Sequence, residues 1–558
     1  MSRIIIILLA LSLVFGIQLQ SQNTVGLVSY KPWENSYDGY NLIYPQNQPT
    51  VYLMDNCGRI INQWEDEDVY KSNNTAYLTQ EGLLLKTKKI GSVNIPIWST
   101  DGENHVEARD WDNNIVWQYS QLDSQSRLHH DIEPTDYGTV FMIAWDHHSL
   151  DEAMLHGRDS SFLGQETFSP DKIIEYDPRI DSIIWEWRAW DHLVQDRDSS
   201  LANYGQISAH PERININYEN NQNRADWMHV NAIDYNAELD QIMINVPTFN
   251  EIWIIDHSTT TTEAASSEGG HSGRGGDLLW RWGNPLAYDK GTEEDQKLFF
   301  QHDALWAIDH LDINDNMDYG NISVFNNNIS NTHSSIGLIG PLYDSISNQY
   351  PLNPDGTFAP EDFYFKWQHP DSTKVRSTNL SSVQVLPNDN LLVCSGRGGY
   401  SLEINDDDEI VWEYITPFRN GNVVSQGTEL ANGANSTFRI RRYPLDYKGL
   451  ENFVLDPTEY IELDPNEDFC QRALSLDDID LHQFNIYPNP VSKDLSVSSE
   501  ESIESLFIFD VFGREIIKEY PTYATKEMDV DLRVLEAGIY YLQINKLEME
   551  VLVKVDSF

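Results

Sequence analysis

The sequence predicts an all-β protein, a six-bladed β-propeller followed by a small C-terminal β-sandwich. Short β-rich runs ending in tryptophan recur through the middle of the chain, and companion strand pairs stand upstream of several of them. Near the C-terminus, apolar alternation resumes with turn residues between the runs, which is the pattern of a separate β module.

The elements follow in chain order. Arg3 and the apolar run IIIILLALSLVFGI, followed by polar QLQSQN, predict a signal peptide over residues 1–22. The run is short for a membrane span, and no later stretch is apolar enough to make one, so an exported, secreted or cell-surface protein is expected. The tryptophan-ended runs are GRIINQW (Trp64), NNIVWQY (Trp117), DSIIWEW (Trp187), GDLLWRW (Trp282), DFYFKW (Trp367) and DEIVWEY (Trp412). GTVFMIAWD precedes KIIEYD, DQIMINV precedes NEIWIID, and NDNLLVCSG precedes YSLEIND, giving strand, turn, strand and then a tryptophan strand. A small sheet of this kind cannot bury both faces alone, so neighbours must stack around an axis. Ser436–Pro444 lacks a tryptophan strand after it, and Thr50–Trp64 lacks partners before it. Pairing these two would close the ring and remove sheet edges; an open sandwich is the simpler alternative. The predicted propeller spans 23–463, the acidic stretch 464–481 is a linker, and 482–558 is the terminal module.

The 558 residues carry a formal charge of −51, which argues against a nucleic-acid partner, because phosphate binding needs clustered Lys and Arg. Sixteen tryptophans and 40% hydrophobic residues suffice for a sizeable core. Cys57, Cys394 and Cys470 form an odd set, so one bridge at most is expected, with its pairing open.

Three segments put a histidine just before a short strand: LHHDIEP (His130), DWMHVNAIDY (His229) and FFQHDALW (His302). Asn73 and Asn379 occupy the comparable place in two other units. In a propeller such positions converge near the axis, so the three imidazoles should share one pocket. Imidazole serves as nucleophile, as acid or base, and as a cationic donor. The same trio would suit zinc, although nothing patterned nearby supports a metal set.

Arg397, in the glycine turn GRGG, offers a fork suited to a sulfate or phosphate ester. DINDNMD alternates Asp312, Asn314, Asn316 and Asp318, a candidate calcium loop without the EF-hand glycine and glutamate. His147, His148 and His257 are expected on loops or at a rim, and SSEGGHSGRGG (Ser266–Gly276) as a flexible insertion rather than a phosphate loop.

DWMHVNAIDYNAELDQIMIN, GDLLWRWGNP and FFQHDALW resemble the bacterial arylsulfotransferases, secreted or periplasmic six-bladed propellers, over about Thr50 to Tyr443. The resemblance implies transfer of a sulfuryl group from a phenolic sulfate to a phenol, with no nucleotide or other cofactor, through a sulfated histidine. By motif position His302 matches that nucleophile and His130 and His229 its helpers, with Asn231 and Asn379 as further substrate contacts. The family's Ser-Arg pair is absent, since INVPTFNEIW has Pro247 and Thr248 there; Arg397 is the expected replacement. FNIYPNPVSKDLSV, SLFIFDVFGREI and LEAGIYYLQI resemble the C-terminal sorting domain of type IX secretion, implying that machinery as a partner. The competing functional classes are a non-catalytic surface-binding propeller and a histidine-ligated metal hydrolase.

Overall fold

The computed structural model describes residues 23–66, 75–90, 104–164, 167–218, 224–307, 321–467, 469–470, 484–510, 514–521, 523, 525–545 and 548–554. The expected signal peptide, Asn73, most of the linker and the calcium candidates Asp312, Asn314, Asn316 and Asp318 lie outside them. The chain divides into two compact units, Met1–Cys470 and Gln471–Phe558.

The first unit is all-β. Among the described residues it holds six antiparallel sheets of four or five strands. Sheet 2 comprises Ala76–Leu78, Leu84–Lys88, His105–Arg109 and Ile115–Ser120, and sheet 3 comprises Ser126–Pro134, Val140–Asp146, Asp171–Asp177 and Ser182–Arg188. Sheet 4 comprises Ala232–Asn236, Gln241–Val246, Glu251–Asp256 and Trp280–Trp282, and sheet 5 comprises His302–Trp306, Ile322–Asn326, Ser335–Ile339 and Phe365–Trp367. Sheet 6 comprises Ser382–Val385, Leu391–Ser395, Tyr400–Ile404 and Ile410–Ile415, with Gly26–Tyr30 added at its outer edge. Sheet 1 combines Thr437–Pro444 from late in the unit with Gly39–Pro45, Thr50–Met54 and Ile60–Glu65.

Sheet 1 corrects one detail of the expected closure. Thr437–Pro444 does not pair with Thr50–Trp64 directly; Gly39–Pro45 lies between them, with Asn41 opposite Arg442 and Ile43 opposite Ile440. GYNLIYP is buried along nearly its whole length, so it lacks the alternation and the tryptophan that revealed the other strands.

Each expected tryptophan strand is the fourth strand of its sheet. Four of the marker indoles donate to a carbonyl of the next sheet: Trp64 to Asp110 at 2.8 Å, Trp187 to Gly276 at 2.7 Å, Trp282 to Pro360 at 2.7 Å, and Trp412 to Asn56 at 2.8 Å. The last of these runs from sheet 6 back to sheet 1. A buried indole thus fills the apolar seam while its N–H is satisfied across it.

The first strands form a closed cycle. The amide N–H of Ile233 donates to Asp131 at 3.2 Å, that of Trp306 to Asp234 at 2.6 Å, and that of Val383 to Asp303 at 3.1 Å. Ile440 N–H donates to Ser382 Oγ at 3.3 Å, Arg439 donates to the Tyr77 hydroxyl, and Tyr77 donates to Asp131 at 2.8 Å. That circuit passes through all six sheets and returns to its start. Arg439 also pairs in bidentate fashion with Asp131, and Arg441 with Asp303. These charges are buried, so deleting one partner would strand the other at a cost of about 3–5 kcal/mol.

A disulfide joins Cys57 to Cys470, with Cα atoms 5.6 Å apart, while Cys394 is free and buried. The bridge ties the segment after the closing strand to sheet 1, where Ile60 N–H also bonds Glu459 O at 2.8 Å. In the GRGG turn, Gly399 has φ +52°, and a Cβ there would lie 2.2 Å from Asn435 O, so only glycine fits. Ser266–Gly276 is pinned by turn hydrogen bonds, including Gly275 N–H to Gly269 O at 3.0 Å, rather than being a loose insertion.

The second unit has two antiparallel sheets around one apolar core that includes Leu495, Val497, Leu506, Ile508, Leu542 and Leu552. The quoted runs supply strands Phe484–Tyr487, Leu506–Phe509 and Gly538–Ile544.

His257 directly follows strand Glu251–Asp256, as expected, and from there links the turn of sheet 4 to sheet 3. It contacts Asp240 at 2.6 Å and Glu175 at 3.2 Å. Burial works against its charge, but hydrogen bonds and charge from Asp240 and Glu175 prevail and raise its pKa to about 9. A raised pKa contributes stability that is complete below about pH 6.5 and is lost as pH rises through about 9. Denaturant titration of wild type should therefore lose about 3 kcal/mol between pH 6 and 10 through this group, and His257→Gln should remove that component.

Candidate active site

Two of the three histidines sit where a first strand departs from regular pairing, and the third just before one. In sheet 3, Leu128 pairs with Ala144 and Ile132 with Met142, so His129, His130 and Asp131 together face Ile143. In sheet 5, His302 pairs with Phe325 and Leu305 with Ser323, leaving Asp303 and Ala304 against Val324. Such bulges re-aim side chains. His229 precedes the first strand of sheet 4, and it shares with His130 a left-handed φ of 56°. Outside glycine that conformation costs of order 1–3 kcal/mol, and it is held here by surrounding contacts.

The imidazoles converge as the repeat spacing predicts. The rings of His130 and His229 have centroids 4.5 Å apart, crossed at 79°. Phe300 bridges onward, 6.3 Å from His229 and 5.8 Å from His302. Phe438, on the closing strand, stands 6.4 Å from His302. All three histidines are buried.

Each ring is oriented by different partners. His302 Nδ1 lies 2.9 Å from Asn327 Oδ1 and 3.2 Å from Phe300 O. Both partners are acceptors, so Nδ1 carries the hydrogen and Nε2 the lone pair. Burial pushes the His302 pKa down to about 3, against the raising effect of Asn327. His229 Nδ1 lies 2.5 Å from Asp226 Oδ2, whose other oxygen accepts from the Trp145 indole at 2.9 Å. His130 Nδ1 lies 2.8 Å from His129 Nδ1, and His129 Nε2 lies 2.8 Å from Asp171 Oδ1. Burial, then the charges of His229, His129 and His302, hold the His130 pKa well below its ordinary value. The site therefore combines His302 held by carbonyl oxygens, His229 held by a carboxylate, and His130 held by a second imidazole that itself meets a carboxylate.

Thr248, where a family arginine was expected, is buried and donates to the carbonyls of Trp227 and Met228, both at 2.7 Å. It buttresses the turn that presents His229. Asn231 is fully buried and donates to Gln301 O at 3.1 Å, as Asn245 does at 2.8 Å, so it fixes the backbone beside His302. Asn379 is half-buried, its carbonyl accepting from Ser377 Oγ at 2.7 Å. Arg397 is exposed; its backbone N–H donates to Ser377 Oγ at 3.1 Å, and Asn327 Nδ2 donates to Ser377 O at 3.1 Å. Arg397 is thus three hydrogen bonds from His302, through Asn327 and Ser377, rather than beside it. His147 and His148 belong to the insertion after the second strand of sheet 3, where His148 stacks on Trp190 at 3.6 Å.

Sequence reading missed His129, Asp171, Asp226, Asn327 and Phe300. The His-His doublet and the Asp three residues before His229 were visible signals. Asp171 comes from another strand and Asn327 from the turn after Ile322–Asn326, and no local pattern marks them.

A family model described as Arylsulfotransferase (ASST) matches residues 95–417, and one described as Secretion system C-terminal sorting domain matches 485–555. No curated protein matches the chain. Among solved structures, a protein of unknown function from Bacteroides caccae is 10% identical, with 73% of this chain and 98% of that one covered and a TM-score of 0.39. A streptogramin B lyase is 10% identical, with coverage of 76% and 94% and a TM-score of 0.34. A putative 6-phosphogluconolactonase from Bacteroides fragilis is 8% identical, with coverage of 73% and 98% and a TM-score of 0.34.

Nitrogen-15 NMR of the histidine rings tests the tautomer. From about pH 5 to 8, His302 should stay neutral with its hydrogen on Nδ1, and Asn327→Ala should erode that preference; a titration near 6.5 in wild type would contradict it.

Proposed function

The chain belongs to the arylsulfotransferase family, and from that premise we propose that it moves a sulfuryl group from a phenolic sulfate ester to a phenol through a sulfohistidine on His302. The observation that carries this reading is the His302 tautomer. Acceptors at Nδ1 keep Nε2 unprotonated, which is the state a nucleophile needs. In the first half-reaction Nε2 bonds to sulfur, the bond from sulfur to the aryl oxygen breaks, and that oxygen leaves with the electron pair. In the second, the acceptor phenol oxygen bonds to sulfur and the pair returns to Nε2. The Nδ1–H, held by two carbonyl oxygens, spreads the positive charge of the sulfated ring.

His130 and His229 assist with proton transfer and anion stabilisation. Arg397 is proposed to reach over the site as an anion clamp, in place of the arginine lost at Pro247–Thr248. Asn231 acts by shaping the backbone at Gln301, and Asn379 belongs to the turn that carries Ser377. No cofactor enters this scheme, and calcium at 312–318 is a separate proposal. The six sheets are read as the blades of a six-bladed propeller over 23–463, supported by the closed circuit of hydrogen bonds among the first strands; 464–481 is read as a linker. The paired sheets of the second unit are read as a β-sandwich over 482–558. The sorting tail marks the protein as secreted or cell-surface and implies contact with the type IX machinery. No described helix is long and apolar enough to cross a membrane. A signal peptide at 1–22 would deliver the chain to the periplasm first.

The test is transfer from an aryl sulfate to a phenol, with and without chelator. The expected result is ping-pong kinetics that chelator leaves unchanged, with a loss of about a thousandfold or more in His302→Ala. Absence of turnover would favour a binding module, and loss on chelation a metal hydrolase. Unchanged activity in Arg397→Ala would remove the clamp.

A further inference from the structure

We propose that His129 and Asp171 form a relay behind His130, which makes His130 the group that protonates the departing phenolate and accepts the proton of the incoming phenol. This rests on the sulfuryl-transfer reading above and adds two positioning residues to it.

The order of contacts fixes the direction of the relay. A carboxylate only accepts, so His129 Nε2, 2.8 Å from Asp171 Oδ1, carries a hydrogen. A neutral His129 then offers a lone pair at Nδ1, and His130 Nδ1, 2.8 Å away, must be the donor. With its hydrogen on Nδ1, the basic nitrogen of His130 is Nε2, and that is the nitrogen that exchanges a proton. When that nitrogen is protonated, the positive ring is opposed by Asp171 through a neutral imidazole. His229 differs, because it meets Asp226 directly at 2.5 Å.

The relay is built rigidly. His129 stacks on Trp145, with centroids 4.1 Å apart and planes 14° from parallel. Asp171 Oδ2 accepts the Val230 N–H at 2.9 Å, next to His229. His129 and Asp171 are both buried. A buried ionisable pair gains no more stability than well-packed apolar side chains would, so mere packing does not explain it. His229 and His302 also act on the charge of His130, and Asp131, beside it in the chain, pairs with Arg439.

The proton count closes. His130 acts as the imidazolium, Nε2 taking up one proton from solvent as the anionic donor binds. In the first half-reaction the aryl oxygen leaves sulfur with the electron pair and takes that proton from His130 Nε2, while His302 Nε2 takes the sulfuryl group. In the second, the acceptor hydroxyl gives its proton to His130 Nε2 as its oxygen bonds to sulfur. Asp171 stays ionised throughout, and no net proton is gained or lost.

An acid that protonates a leaving group matters most when that group is a poor one. The experiment compares full-length wild type, His129→Gln and Asp171→Asn with phenyl sulfate and 4-nitrophenyl sulfate as donors. With phenyl sulfate, kcat/KM should fall about 100-fold in both variants, and with 4-nitrophenyl sulfate less than about tenfold. A structural defect would lower both donors equally. Equal falls, or none, while wild-type His302 still becomes sulfated by 4-nitrophenyl sulfate, would overturn the relay alone. Failure of wild type to become sulfated would bring down the sulfuryl-transfer reading and the relay with it. Should Asp171→Asn not fold, His129→Gln carries the comparison.

Discussion

Strand Thr437–Pro444 pairs with Gly39–Pro45, almost 400 residues earlier, and the rest of the first unit depends on that pairing. It brings Arg439 and Arg441 against Asp131 and Asp303, the residues immediately after His130 and His302. It also places Phe438 beside His302. A long-range pairing is entropically costly to form. The Cys57–Cys470 bridge reinforces it from the far side of sheet 1 by restricting the unfolded chain. The pairing that returns the last strand to sheet 1 therefore also positions the residues that flank the site.

Burial then sets the chemistry. A histidine in water would be partly protonated near neutrality, whereas desolvation keeps His302 neutral, the state the proposed nucleophile needs. His130 and His229 are buried as well, but His229 meets Asp226 directly and His130 reaches Asp171 through His129. Three imidazoles of the same type thus acquire different roles from their neighbours. Donor binding would bring a sulfate charge close to His130, which favours its protonated form when the leaving group needs a proton.

Much of this was legible in the sequence because the repeat is physical. A tryptophan at the end of each fourth strand fills the seam to the next sheet, so the spacing of Trp64, Trp187, Trp282 and Trp412 reads out the architecture. The histidines were legible for the same reason, since equivalent places in a repeat converge. Less was legible where position depends on backbone shape. The left-handed turns at His130 and His229 and the bulge at Asp303 leave no residue-type mark. The Gly39–Pro45 strand, buried on both faces, carries no alternation. Asp171 and Asn327 reach the site across strands, and only coordinates connect them to it. Thr248 shows why the missing arginine was noticed yet not explained: its hydroxyl serves the turn before His229 rather than an anion.

The central claim is that Nε2 of His302 receives the sulfuryl group. Incubation with an aryl sulfate and no acceptor, rapid quenching at alkaline pH and peptide mass mapping tests it directly. The account predicts one sulfuryl adduct, on the peptide containing His302, which discharges when a phenol is added. An adduct on another residue, or none during demonstrable turnover, would contradict it.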